Sequence, residues 1–341
     1  MKRDIKSMLP NELEEYFLSI GEQKFRAKQV FSWLHKGVGI DEMTNIPVGL
    51  RKKLDTEFFI SYPELIEKQK STVDGTVKYL LRLYDGETVE CVLMEYKHGY
   101  TLCISSQVGC KMGCIFCASS SGGFVRNLSA SEMLNQVLFS QFDECIRVSN
   151  IVLMGMGEPL DNFDSVVGFI RLITHPWGIN IGARHITLST CGIIEYIDKL
   201  SKVDVQLRLA ISLHAPDDET RSRLIPANKG VGVKNLVEAG ERFFKSTGRR
   251  VSYEYALIAG VNDSTEQAHE VARLIRDTNS HLNIIVLSDM PNSELKAGTD
   301  KSLNAFTGIL SSNYASFSVR RSLGSDIEAA CGQLRRRYID V

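Results

Sequence analysis

Apolar residues recur along this chain at two different periods, and the change falls near residue 100. Up to about residue 60 the spacing is helical. "LPNELEEYFLSIG" and "KFRAKQVFSWLHKG" place apolar side chains three and four apart, and each run ends at a glycine suited to a helix C-terminus. "TVKYLLRLYDGETVECVLMEY" then predicts two strands about a turn at "DG". Residues 1–95 therefore read as a small, mainly helical accessory domain with a short hairpin.

Beyond residue 96 short β-rich runs alternate with helical ones. The strands are "TLCIS", "NIVLMG", "HITLST", "RLAISL", "VSYEYALI" and "LNIIVLS". Between them lie "SASEMLNQVLFSQF", where Ser129 and Glu132 form a capping box, and then "FDSVVGFIRLI", "KNLVEAGERFF" and "EQAHEVARLIRD". Six strand–helix repeats predict a parallel sheet with right-handed crossovers. Six are too few to close an eight-unit barrel, so the expected fold is α/β, a partial (β/α)6 barrel over residues 96–341. In barrel-type folds the active site lies at the C-terminal ends of the strands.

Composition narrows the classes of function without choosing one. At 43% apolar and 24% charged residues the 341-residue chain is ordinary for a packed protein, and a net charge of -1 gives no global pull toward nucleic acid or anionic membrane. The basic runs "RKK" at 51–53 and "RRR" at 335–337 are candidate patches or solvated faces. No eighteen apolar residues run together, and the first residues lack the apolar core of a signal peptide. The expectation is a cytoplasmic protein, with no membrane partner, whose eight cysteines are reduced.

Three of those cysteines crowd into "GCKMGCIFCASS" as Cys110, Cys114 and Cys117. Thiolates suit zinc, copper(I) or iron–sulfur clusters. Structural zinc takes four protein ligands, so three cysteines leave one position open. A four-iron cluster on three thiolates would have one iron free for a ligand. A zinc loop that borrows a distant ligand, or simply buried thiols, remains the alternative. Phe116, just before the third cysteine, is placed to pack against whatever binds there.

The spacing C-x3-C-x2-C after the first strand of a partial barrel resembles the radical S-adenosylmethionine enzymes. "SSQVGCKMGCIFCASSSGGFVRNLSASEMLNQV", "NIVLMGMGEPLDNF", "HITLSTCG", "LAISLHAP", "EYALIAGVND" and "SDIEAACGQL", in that order, resemble the RlmN/Cfr group. The resemblance covers nearly the whole chain and implies methylation of an adenine carbon in RNA: C2 of adenine(2503) in 23S rRNA, and of adenine(37) in some tRNAs. It implies one [4Fe-4S] cluster on Cys110, Cys114 and Cys117, and two molecules of S-adenosylmethionine per turnover. Gly157 and Glu158 would contact its methionine part, with Ser189, Ser212, Leu213 and His214 as further contacts. Where the group carries an asparagine on the sixth strand, Ser288 stands here, and a hydroxyl lacks the amide's paired donor and acceptor.

By the same resemblance Cys331 is the methyl carrier. C2 of adenine is electrophilic and its hydrogen is not acidic, so a polar methyl transfer to it is not feasible, and a protein-borne methyl turned radical solves the problem. One S-adenosylmethionine methylates Cys331; a second, cleaved at the cluster, gives the radical that takes hydrogen from that methyl. Cys103 would resolve the product, leaving a Cys103–Cys331 disulfide for reductants to reopen, and Glu90 would move the proton from the target carbon. Read without the resemblance, Glu90 is an exposed charge in an alternating strand. Cys91, Cys145 and Cys191 read as core residues. Phe25 and Phe31 do too, whereas Phe124 and Arg126 are placed to face substrate. The implied partners are 23S rRNA, tRNA and an electron donor such as flavodoxin or ferredoxin, with the chain a monomer. The alternatives are a Cfr-type C8 methyltransferase, a radical enzyme of another class, and a metal-stabilised RNA-binding module with no catalysis.

Overall fold

The computed structural model describes residues 2–287 and 295–335. Ser288 and the last two arginines of "RRR" lie outside the described residues. Three helices come first: α1 (Pro10–Ser19), α2 (Phe25–Leu34) and α3 (Val48–Glu57). Pro10 opens α1, where its missing N–H costs nothing. Beyond α1 and α2 the chain turns at Gly21 (φ +79°) and Gly37 (φ +70°), left-handed positions that glycine adopts without strain. Leu13, Phe17, Ala27, Val30, Phe31 and Leu34 form the buried stripe, while Phe25, expected in the core, is exposed.

A ten-stranded sheet follows. Its strands are β1 (Glu64–Lys70), β2 (Val77–Arg82), β3 (Thr88–Tyr96), β4 (Gly99–Cys103), β5 (Val148–Leu153), β6 (Ile186–Thr190), β7 (Arg208–Ser212), β8 (Val251–Leu257), β9 (Ser280–Val286) and β10 (Phe317–Arg320). Their order in the sheet is their order in the chain, with no pairing between the two end strands, so the barrel stays open. β1 to β4 are antiparallel and β4 to β10 parallel. The crossovers carry α4 (Ala130–Asp143), α5 (Phe163–Thr174), α6 (Ile194–Leu200), α7 (Asp218–Leu224), α8 (Val233–Thr247), α9 (Thr265–Arg276) and α10 (Asp300–Ser312). The capping box of α4 is present: the Ser129 hydroxyl accepts from Glu132 N–H, and Ser129 N–H donates to the Glu132 carboxylate at 2.8 Å.

All six expected parallel strands are found, and β10 adds a seventh. The hairpin β2–β3 joins the barrel directly, because β3 pairs antiparallel with β4 through Val92 opposite Cys103. The division expected after residue 95 thus falls inside β3, one residue before its end, within a hydrogen-bonded hairpin. One continuous apolar core runs from Ile5 to Leu334 and joins the helices to the barrel. Among the described residues, no helix is long and apolar enough to cross a membrane.

Candidate active site

The C-terminal ends of the parallel strands and the three-cysteine loop enclose a first cavity. Cys110, Cys114, Phe116 and Cys117 line it from the loop, Gly157 and Glu158 follow β5, and Ser189 and Ser212 come from the ends of β6 and β7. His214 completes that wall, whereas Leu213 lies behind it, fully buried.

Close approach of backbone explains the glycines. Gly157 has φ +101°, and a Cβ there would come within 2.8 Å of Gln107 N. Glu158 is buried, and its two oxygens accept from Leu160 N–H (3.0 Å) and Cys191 N–H (2.8 Å). Burial pushes its carboxyl above the usual range, against those hydrogen bonds. Burial also holds the His214 imidazole at a pKa of about 3, so it is neutral. Its Nδ1 accepts from Ala256 N–H at 2.9 Å, which leaves the proton on Nε2, and its ring lies 4.7 Å from that of Phe116.

Arg221, which nothing in the sequence singled out, fixes these strand ends. It is fully buried and donates to the carbonyls of Cys191 (2.5 Å), Ser212 (2.8 Å) and Leu213 (3.0 Å). Burial raises all three loop thiols, Cys110 to about 12. Among the described residues no three His, Cys, Asp or Glu side chains converge on a point that could hold one metal ion. Three thiols bordering one cavity make a soft donor set of the kind an iron–sulfur cluster takes.

Behind this cavity lies a second one, lined by Val92, Cys103, Arg208, Arg320 and Arg321 among others. Cys331 and Gly332 border both. The Cys331 side chain is exposed on this shared border. Its segment is clasped from two sides. Ala118 N–H donates to Gly332 O (2.7 Å) and the Ser119 hydroxyl to Leu334 O (2.6 Å), both from the three-cysteine loop. Arg335 N–H donates to Glu90 Oε2 at 2.8 Å. Glu90 is buried, not exposed, and shares the face of β3 with Val92; it borders neither cavity.

Other expectations divide. Cys91 is core, but Cys191 lines the first cavity and Cys145 is exposed. Arg126 is engaged by Asp85 (2.6 Å) and Glu132 (2.8 Å), so it braces the fold rather than awaiting substrate. Phe124 is partly exposed with Lys111 over its ring. Glu254 was missed, although an acid at the inward-facing middle of an apolar strand was a usable signal.

Residues 104–274 match the radical SAM superfamily, and residues 4–60 match the ribosomal RNA large subunit methyltransferase N-terminal domain. A probable dual-specificity RNA methyltransferase RlmN of Alkaliphilus metalliredigens is 46% identical, covering 99% of this chain and 97% of the relative. The RlmN of Lachnoclostridium phytofermentans is 47% identical over 99% and 96%. A crystal structure of a radical SAM methyltransferase from Sphaerobacter thermophilus superimposes with a TM-score of 0.92 at 40% identity, covering 97% of this chain and 99% of that one.

Proposed function

The chain belongs to the RlmN family of radical S-adenosylmethionine RNA methyltransferases, and on that footing we propose that it methylates C2 of adenine in 23S rRNA and in tRNA through a methyl carried on Cys331. The observation that carries this reading is the position of Cys331, on the shared border of the two cavities. A thiol there can take a methyl from a ligand in the first and present it to a base in the second.

Cys110, Cys114 and Cys117 would hold a [4Fe-4S] cluster as thiolates, and the cluster would supply the single electron for reductive cleavage of S-adenosylmethionine. The chain's own residues do the rest by position. Glu158 takes the ammonium of the ligand on its carboxylate, and Gly157 lets the backbone come close. Ser189 and Ser212 offer hydroxyls, and neutral His214 offers its Nε2–H. Cys331 accepts the first methyl as a thiolate, and the second S-adenosylmethionine of the turnover follows in the same cavity. Cys103 resolves the product from across the second cavity. Glu90 serves as base once its bond to Arg335 N–H is released, since a base must reach the proton it removes. The target adenine is unstacked to enter, with the N-terminal helices gripping the surrounding RNA. A flavodoxin or ferredoxin supplies electrons, and the single chain is the working unit.

The test is product identity. Anaerobically reconstituted protein, S-adenosylmethionine, a reductant and unmodified 23S rRNA fragments are incubated, and the digested RNA is analysed by mass spectrometry. 2-Methyladenosine, absent for Cys331→Ala, is the expected result. 8-Methyladenosine would move the protein to Cfr-type chemistry. No methylation, despite cleavage of S-adenosylmethionine, would overturn the reading.

A further inference from the structure

The border between the two cavities carries a charge pair that no role described so far uses. Glu254, on β8, faces the first cavity; Arg320, on β10, faces the second. An Nη of Arg320 donates to Glu254 Oε1 at 3.4 Å, and its other Nη reaches the Met154 sulfur at 3.7 Å. Met154 itself borders both cavities.

Strand register builds the mount. Glu254, Asn283 and Ser318 stand side by side across β8, β9 and β10. The amide of Asn283 donates to Glu254 Oε1 at 2.8 Å, and the Ser318 hydroxyl donates to Asn283 Oδ1 at 2.9 Å. Arg320 is two residues beyond Ser318, hence on the same face of β10. Glu254 is 3% exposed, and its Oε2 has no hydrogen-bond partner among the described residues. A carboxylate with one free oxygen is an expensive thing to bury. Holding a guanidinium in place is a function that would justify it.

What the guanidinium faces is a pair of thiols. Arg320, Cys103 and Cys331 line the same second cavity. A thiol exchanges only as its thiolate, and this cavity makes thiolates costly. Burial drives the Cys103 thiol well above its ordinary value; neighbouring Cys331 and Cys91 push it the same way, while Met154 N–H and Arg320 oppose. Tyr96, whose ring borders the cavity, feels Arg320, Arg321 and both thiols. Guanidinium stays protonated throughout the working range, so its field is constant.

We propose that Arg320 is a positioning residue for the thiol chemistry, a fixed cation that stabilises the Cys103 thiolate beside Cys331, with Glu254 and Asn283 holding it at that place. The roles of the two thiols rest on the function proposed above; the placement of Arg320 does not. Once Cys331 carries a methyl it is a neutral thioether that can no longer place a negative charge beside Cys103, and the field of Arg320 there is unopposed by it. The cation then favours the resolving thiol at the stage when that thiol is needed. Glu254 moderates the field, since its carboxylate offsets part of the guanidinium charge.

A tether without electrostatic work would behave differently, and two substitutions separate the cases. In Arg320→Gln the charge is lost. In Glu254→Gln the amide oxygen still accepts from Arg320, but the opposing charge is gone. The experiment uses the reconstituted holoenzyme under anaerobic conditions and follows iodoacetamide alkylation of Cys103 against pH, resolved by peptide mass spectrometry. Arg320→Gln should slow alkylation at fixed pH about three- to tenfold, the size expected of a charge acting over several ångströms through partly screened space. Arg320→Lys should recover part of that loss, and Glu254→Gln should speed alkylation. The proposal is overturned if Arg320→Gln leaves the pH profile in place, or if both Gln variants shift it in one direction. Alkylation needs no RNA, so a wild-type enzyme that makes no methyladenosine while these shifts appear would sink the proposed function and spare this one.

Discussion

Two cavities meet at Cys331, and their walls carry opposite character. The first, of about 150 Å³, is bordered by three loop thiols and the acids Glu158 and Glu254. The second, of about 350 Å³, has Arg208, Arg320, Arg321, His98 and His185 on its wall and, among the described residues, no Asp or Glu. S-Adenosylmethionine is a sulfonium cation with an ammonium group; RNA is a polyanion. Each chamber has the polarity that suits one of them, and Cys331, which we propose deals with both, lies where they join. On that proposal, chemistry shared between unlike ligands needs no compromise pocket.

The largest blow to this contrast should come from Glu158→Ala. Leu160 N–H and Cys191 N–H would lose their buried acceptor, at about 1–3 kcal/mol for each unsatisfied donor. Thermal unfolding should show a loss of about 3 kcal/mol, and equilibrium binding of S-adenosylmethionine should fall below detection. RNA affinity of the remaining folded protein should hold within about twofold. Loss of RNA binding in step with S-adenosylmethionine would mean the chambers are not separate.

Acid should weaken the fold through two buried imidazoles, His214 on the wall of the first chamber and His35 in neither. His35 at the end of α2 is buried against Phe31, with ring centroids 4.2 Å apart, and burial together with His175 and Lys6 holds its pKa at about 3. Both ring nitrogens lack hydrogen-bond partners among the described residues. The unfolded chain takes up a proton near pH 6.5 that the folded one refuses. Stability is therefore full above that pH and declines below it, by about 2 kcal/mol at pH 5. His35→Phe should remove its own share of the acid slope, about 2 kcal/mol, in chemical denaturation run at pH 7 and pH 5, and buried His214 keeps a similar share. An unchanged slope would refute the assignment.

The smallest effect, and the one that sharpens the contrast most, belongs to Arg208→Gln and Arg321→Gln. Each should weaken RNA binding by about 1 kcal/mol and reduce the salt slope by about one. Affinity for S-adenosylmethionine should not move. Fluorescence anisotropy across a salt series gives both numbers. Equal slopes for variant and wild type would show that the second chamber does not meet phosphate.

How much of this was readable in the chain depends on the range of the forces involved. The six parallel strands and the α4 capping box were legible because periodicity and capping are local. β1 was not: in "ELIEKQK" no position is buried, so no alternation of apolar and polar residues marks it. β10 has only four residues. The joining of β3 to β4 is a tight hairpin, Tyr96 opposite Gly99, but its turn residues Lys97 and His98 are not ones that mark a two-residue turn in a sequence. The resemblance supplied Glu158, His214 and the loop cysteines as a set, and they do border one cavity. It could not supply Glu254, Arg320 or Arg221, whose positions follow from strand register and burial. Ser288 falls outside the described residues, so its substitution for asparagine gains no structural account.

The most direct test of a thiol shared between two chambers follows one methyl group. The reconstituted enzyme is given S-adenosylmethionine with a deuterated methyl, first without RNA and then with it, and the peptide containing Cys331 is weighed at each stage. The account predicts deuterated methyl on Cys331 before RNA is added, and its passage to adenine afterwards. Label that reaches RNA while Cys331 never carries it would contradict the account.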